Sequence, residues 1–212
     1  YVVVPHEAVA RIPEGLGATD AAPLLCAGVT TWNALRNSGV RAGDTVAVQG
    51  IGGLGHLGIQ YAARMGCRTI AVSHGAEKRD LARQLGAHEY VDTASGGAAE
   101  GLTKLGGADL VLATAPNSEA IAATVGGLKP RGKLLIVAAP FDALKLSALP
   151  LLSGKSIAGW PSGSAFDSEE TVAFSVLAGV RPRVEVFKLE RAEEAFTKMM
   201  ENRVRFRAVL TP

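Results

Sequence analysis

Residues Gln49–Gly58 read QGIGGLGHLG, five glycines in ten positions. Glycine weakens a helix or strand interior by about 0.5–1 kcal/mol per position, so such a density needs a reason. The preceding DTVAV (Asp44–Val48) reads as a strand and the following IQYAARMG (Ile59–Gly66) as a helix. Gly50, Gly52 and Gly55 fit G-x-G-x-x-G at that strand-to-helix turn. The first glycine permits a tight turn, the second lets backbone approach a pyrophosphate, and the third lets helix and strand pack closely. Backbone N–H groups and the helix dipole then face an anion. The pattern predicts a dinucleotide diphosphate against this turn, with Gly50, Gly52, Gly53, Leu54 and Gly55 as its binding residues. The alternative is a glycine-rich packing turn with no ligand.

Outward from the turn the pattern is regular. Strands are predicted at Thr45–Gln49, Thr69–Ser73, Glu89–Asp92, Asp109–Thr114, Lys133–Ala138 and Ser156–Trp160. Helices fall between them at Gly53–Met65, Glu77–Leu85, Ala98–Leu105 and Ser118–Leu128. Several strands are near-continuous apolar runs, as expected where both faces are buried under helices. The predicted fold class is therefore α/β, a doubly wound parallel sheet of Rossmann type.

Upstream, YVVV and AVARI read as strand pieces, and Thr19 or Asp20 can cap a helix running to about Asn37. After Pro161 the rhythm changes to a helix at Ser168–Ala178, VEVFKL, a helix at Glu190–Glu201 and a strand FRAVLTP. Residues 1–18 and 161–212 are read as parts of a second domain, and residues 19–160 as the dinucleotide-binding domain. A chain opening at Tyr1 in strand-like sequence reads as one that begins mid-protein.

Bulk properties exclude other classes. The chain has 212 residues, 48% hydrophobic and 20% charged, with a net charge of +2. That charge gives no reason to invoke nucleic acid or an anionic membrane. No apolar run approaches the roughly 18–20 residues that span a bilayer, and Tyr1–Arg11 has no signal-peptide pattern. Two cysteines, Cys26 and Cys67, make no disulfide framework, which points to a cytoplasmic setting.

The second strand of a dinucleotide fold commonly ends in a carboxylate that bonds the adenosine ribose. Here it ends at Ser73, in AVSHGAEKRD. Ser73 removes the repulsion that an Asp would exert on a 2′-phosphate, and Lys78 and Arg79 lie close enough in sequence to add positive charge. The reading favours NADP over NAD, against the alternative that both cations are solvated helix-face residues. His56, in the first turn of the helix, is read as a polar helix-start residue, with phosphate binding as the other option. Read alone, Cys26 is a small buried apolar residue.

The segments DAAPLLCAGVTTWNAL (Asp20–Leu35) and GDTVAVQGIGGLGHLGIQYAARMG (Gly43–Gly66) closely resemble the zinc-containing alcohol dehydrogenases of the medium-chain dehydrogenase/reductase family. The resemblance continues through EKRDLARQLGAHEYVD, GKLLIVAAP and RAEEAFTKMMENRVRFRAVL. It implies that zinc acts as a Lewis acid on an alcohol whose hydride passes to NAD or NADP. It implies that Cys26 is a catalytic zinc ligand, although no other metal spacing is visible. Thr30 would pack beside the nicotinamide, Thr114 and Ala115 would edge the crevice, and Val137 and Ala138 would form the wall over the nicotinamide. Arg207 would reach back to the cofactor phosphates, and Cys67 matches a packing position. The implied partners are a small alcohol, aldehyde or ketone substrate and a second copy, paired through the edge strand in SIAGWPSG. A zinc-free enone or quinone reductase of the same family, and a non-catalytic dinucleotide-binding module, are the competing readings. Cys26 argues against the first of these.

Overall fold

The computed structural model describes residues 2–212. Helix α1 (Ala18–Pro23) passes through a π turn at Leu24–Gly28 into α2 (Val29–Asn37). There follow β1 (Thr45–Gln49), α3 (Gly55–Arg64), β2 (Arg68–Ser73), α4 (Arg79–Gln84), β3 (Glu89–Asp92), α5 (Ala98–Lys104), β4 (Ala108–Ala113), α6 (Ser118–Ala122), β5 (Leu128–Ile136) and β6 (Ser156–Gly159). The tail adds α7 (Ala165–Ala178), β7 (Val184–Lys188), α8 (Ala192–Met200) and β8 (Arg207–Thr211).

The first six strands form one parallel sheet in the order β3-β2-β1-β4-β5-β6. Chain order reverses between β1 and β4, which opens a crevice at their carboxyl ends. The apolar runs are explained by two cores. Val46 and Val48 of β1 join Leu35, Leu57 and Tyr61 on one face, while Ala47 joins Ile70, Leu102, Val111 and Ile121 on the other. Each of these side chains is fully or almost fully buried. Strands β7 and β8 pair separately, in parallel. Among the described residues, no helix is long and apolar enough to cross a membrane.

Several boundaries differ from expectation. The predicted strand pieces before Ile12 are absent from the described residues, and Tyr1 lies outside them. Val2–Arg11 carries only a 3-10 turn at His6–Ala8, with Val2, Val3 and Val9 exposed, because no described strand lies beside it to pair with. The expected cap at Thr19 or Asp20 falls at Gly17, which has no side chain to bond the helix end. Helix α7 starts at Ala165 rather than Ser168, since Ser164 and Asp167 form a reciprocal capping box. Helix α6 stops at Ala122 and β5 starts at Leu128. There Gly127 comes so close to Leu102 that a Cβ would stand 2.8 Å from its Cδ1.

Candidate dinucleotide site

The glycines of the turn differ in what surrounds them. Gly50 has φ +91°, and a Cβ there would stand 2.7 Å from that of Ala115. At Gly55 a Cβ would overlap the carbonyl oxygen of Gly50 and lie 2.8 Å from Thr114 Oγ1. These two positions are closed by protein. At Gly53 the obstacle is the tail, with Arg207 Nη1 2.9 Å from a Cβ. Gly52 alone of the four meets nothing within 4 Å. No packing demand explains glycine at Gly52, so an open face remains for something from outside the fold.

That face borders a cavity of about 610 Å³ at the carboxyl ends of β1, β2 and β4, a size that suits a small-molecule ligand. Gly50, Gly52, Gly53, Ser73, Lys78, Thr114 and Ala115 all line it. A second cavity of about 360 Å³ shares Gly52, Gly53 and Lys78 and adds Arg205, Phe206 and Arg207. The crevice edges are tied together. Thr114 donates its hydroxyl to the Gln49 carbonyl at 2.8 Å, and Ala115 N–H donates to Gln49 Oε1 at 3.3 Å.

The electrostatics favour an anion. No carboxylate is among the described residues that line the larger cavity. Neither Lys78 nor Arg207 forms an ion pair among the described residues. Arg79 turns away, with its guanidinium 5.4 Å from the Tyr90 ring centre. Of the two candidate cations, only Lys78 therefore faces the site.

His56 stands in the first turn of α3, as expected of a polar helix-start residue, and is fully buried. Its Nδ1 lies 2.8 Å from the Gly52 carbonyl, and its Nε2 lies 3.2 Å from the Arg183 N–H. The partners assign the tautomer: Nδ1–H donates and Nε2 accepts. The ring stacks on Phe206 with centroids 4.9 Å apart. Desolvation by burial is the main cause that lowers its pKa, to about 4.

The remaining candidates lie elsewhere. Leu54 precedes α3 and packs partly against the core. Thr30 donates its hydroxyl to Ser162 Oγ at 3.0 Å. Val137 and Ala138 lie just beyond β5, and both donate N–H to the Ala113 carbonyl, at 3.1 and 3.2 Å. Cys26 is exposed, contrary to its reading as a buried apolar residue. It sits in the π turn at Leu24–Gly28, in which Leu24, Ala27 and Gly28 are the buried residues. Cys67 is buried, as a packing position requires. Sequence reading missed Asn202, which lines both cavities from a left-handed turn with φ +55°. Its only sequence signal is an Asn between a helix and a strand.

Zinc needs three or four ligands. Among the described residues, no three His, Cys, Asp or Glu side chains are grouped to hold a metal. Cys26 offers one thiolate, so these residues do not by themselves form a zinc site.

A reversing parallel sheet with a glycine turn and a cavity at its switch point defines the Rossmann-type class of α/β proteins. The comparisons narrow the class. The family described as zinc-binding dehydrogenase matches residues 53–177. Alcohol dehydrogenase patD of Penicillium expansum is 46% identical over 211 residues, covering 100% of this chain and 62% of that protein. Alcohol dehydrogenase notN of Aspergillus sp. (strain MF297-2) is 48% identical over 212 residues, with 100% and 62% covered. The crystal structure of an NAD-dependent alcohol dehydrogenase superimposes with a TM-score of 0.90 at 26% identity, covering 100% of this chain and 64% of that one. The chain belongs to the zinc-binding dehydrogenase family, among the zinc-type alcohol dehydrogenases of the medium-chain dehydrogenase/reductase group. It spans 62% of the length of these two curated relatives.

Proposed function

We propose that this chain binds a nicotinamide dinucleotide, with its diphosphate over Gly52, and that the whole protein is a cytoplasmic alcohol dehydrogenase. The observation that carries the reading is the open face of Gly52, flanked by Arg207, which forms no ion pair among the described residues. Gly50 and Gly55 shape the turn, and the N–H groups at the start of α3 take the phosphate charge with Arg207. Ser73 and Lys78 face the adenosine ribose, and the missing carboxylate favours NADP over NAD. Thr114 and Ala115 edge the crevice, Val137 and Ala138 wall the nicotinamide, and Thr30 packs beside it. The bound nicotinamide supplies the hydride acceptor or donor for an alcohol or its aldehyde or ketone.

In the whole protein Cys26 is assigned one zinc-ligand position, a role for which its exposure leaves it available. The residue partition 1–18, 19–160 and 161–212 accompanies this reading, with the two ends belonging to a catalytic domain. Among the described residues the outer edge of β6 is unpaired, which suits sheet extension across a dimer axis. Light scattering tests that pairing, and a strict monomer would refute it.

The test of the activity uses the protein at the length of its relatives. Alcohol-dependent reduction of NAD and NADP is followed at 340 nm for wild type and Cys26→Ser, with bound zinc measured in parallel. The reading expects turnover and zinc in wild type and loss of both in the variant. Zinc retained at wild-type level in Cys26→Ser contradicts the ligand assignment, and absence of turnover on any alcohol contradicts the dehydrogenase reading.

A further inference from the structure

The glycine turn and Arg207 are 152 or more positions apart in the chain, yet one buried imidazole touches the supports of both. His56 Nδ1–H donates to the carbonyl of Gly52, the residue whose open face meets the cavity. Its Nε2 accepts from Arg183 N–H. The carbonyl of Arg183 in turn accepts from Phe206 N–H at 2.9 Å and Arg207 N–H at 3.2 Å. Phe206 stacks on the His56 ring. One turn along α3, Gln60 reinforces the clasp: it donates to the Arg181 carbonyl at 2.9 Å and accepts from Arg181 N–H at 3.2 Å.

We propose that His56 is a positioning residue for the diphosphate: it fixes the Gly52 peptide and the backbone that carries Arg207 in one hydrogen-bonded unit. The inference rests on the reading of the turn as a diphosphate site. A hydrophobic filler at this position could occupy the volume but could not do this. It would leave the Arg183 N–H without its partner and the Gly52 carbonyl with only the backbone N–H of residue 56, at 3.1 Å, to hold it. The turn and the arginine would then be joined less directly, through Gln60 and Arg181, and an anion held between two separate groups tolerates little drift. A neutral ring is needed, because a protonated Nε2 no longer accepts from Arg183. Burial, together with the charges of Arg207 and Arg183, keeps the imidazole neutral well below pH 6.

The structure distinguishes this role from mere packing by which ligands should suffer. ADP-ribose carries the diphosphate and adenosine does not. In the 212-residue chain, His56→Leu should weaken ADP-ribose binding at least tenfold and leave adenosine binding within twofold. In an Arg207→Gln background the same substitution should cost less than threefold, because the arginine it positions is gone. His56→Asn, which keeps a donor for the Gly52 carbonyl, should recover part of the loss, and it carries the same comparisons if His56→Leu does not fold. Equal losses for ADP-ribose and adenosine, or fully additive effects of His56 and Arg207, would overturn the proposal. Failure of the wild-type chain to bind ADP-ribose would instead overturn the diphosphate reading itself.

Discussion

Arg207 occupies the space that a side chain on Gly53 would need: a Cβ there would stand 2.9 Å from its Nη1 and 3.1 Å from its Cδ. The contact joins β8 to the start of α3 across the mouth of the smaller cavity. An arginine is a flexible obstacle, so Gly53→Ala should fold, with the guanidinium pushed off the turn. Dinucleotide affinity should fall about three- to tenfold, roughly 0.6–1.4 kcal/mol, and calorimetric titration reads this directly. Unchanged affinity would mean that Arg207 does not meet the ligand.

Gly55 makes the opposite prediction. Its neighbours are backbone and a buried hydroxyl, the Gly50 carbonyl and Thr114 Oγ1, neither of which can swing away. Gly55→Ala should lower stability by about 3 kcal/mol or more, the upper range for overpacking. Thermal unfolding of the unliganded chain checks it. A melting temperature equal to wild type would show that helix and strand are less tightly locked than the geometry implies.

His56 predicts a pH dependence. Its pKa falls from 6.5 to about 4 on folding, chiefly by desolvation. The unfolded chain therefore binds more protons than the folded one between those values. Stability is full above pH 6.5, declines as pH falls towards 4, and loses about 3 kcal/mol by then. Asp167, held below the usual carboxylate range by the Ser164 backbone N–H, releases its own contribution at lower pH. Urea unfolding at stepped pH should show the decline in wild type and a flatter profile in His56→Asn. Parallel profiles would place the titration elsewhere.

At the end of β2, Ser73 lines a cavity that contains Lys78 and no described carboxylate. NADP should bind more tightly than NAD, with a preference that shrinks as salt screens Lys78. Ser73→Asp should reverse the order. A wild-type preference for NAD would show that the missing carboxylate does not set the choice.

How much of this was legible depended on the range of each interaction. The strand Thr45–Gln49 was placed residue for residue, because a run buried on both faces needs no knowledge of its partners. The same apolar signal misled at Val2–Val4, whose side chains lie exposed beside no described strand. Ser73 and Lys78 were readable from their distance to the glycines, whereas Arg207 came only from the family resemblance. His56 was not readable as a buried link, since its partner Arg183 lies 127 positions away. The exposure of Cys26 is not legible either, because a free cysteine in sequence reads as a buried residue type and the π turn at Leu24–Gly28 has no sequence mark of its own.

The central claim is that the open face of Gly52 receives a dinucleotide diphosphate. A branched side chain at Gly52 meets no protein atom within 4 Å of its Cβ, so Gly52→Val should keep the wild-type melting temperature. Calorimetric titration of the wild-type and Gly52→Val chains with NADP tests the claim most directly. The account predicts binding by wild type and at least a tenfold loss, about 1.4 kcal/mol or more, in the folded variant. Equal binding by the two folded chains would contradict it.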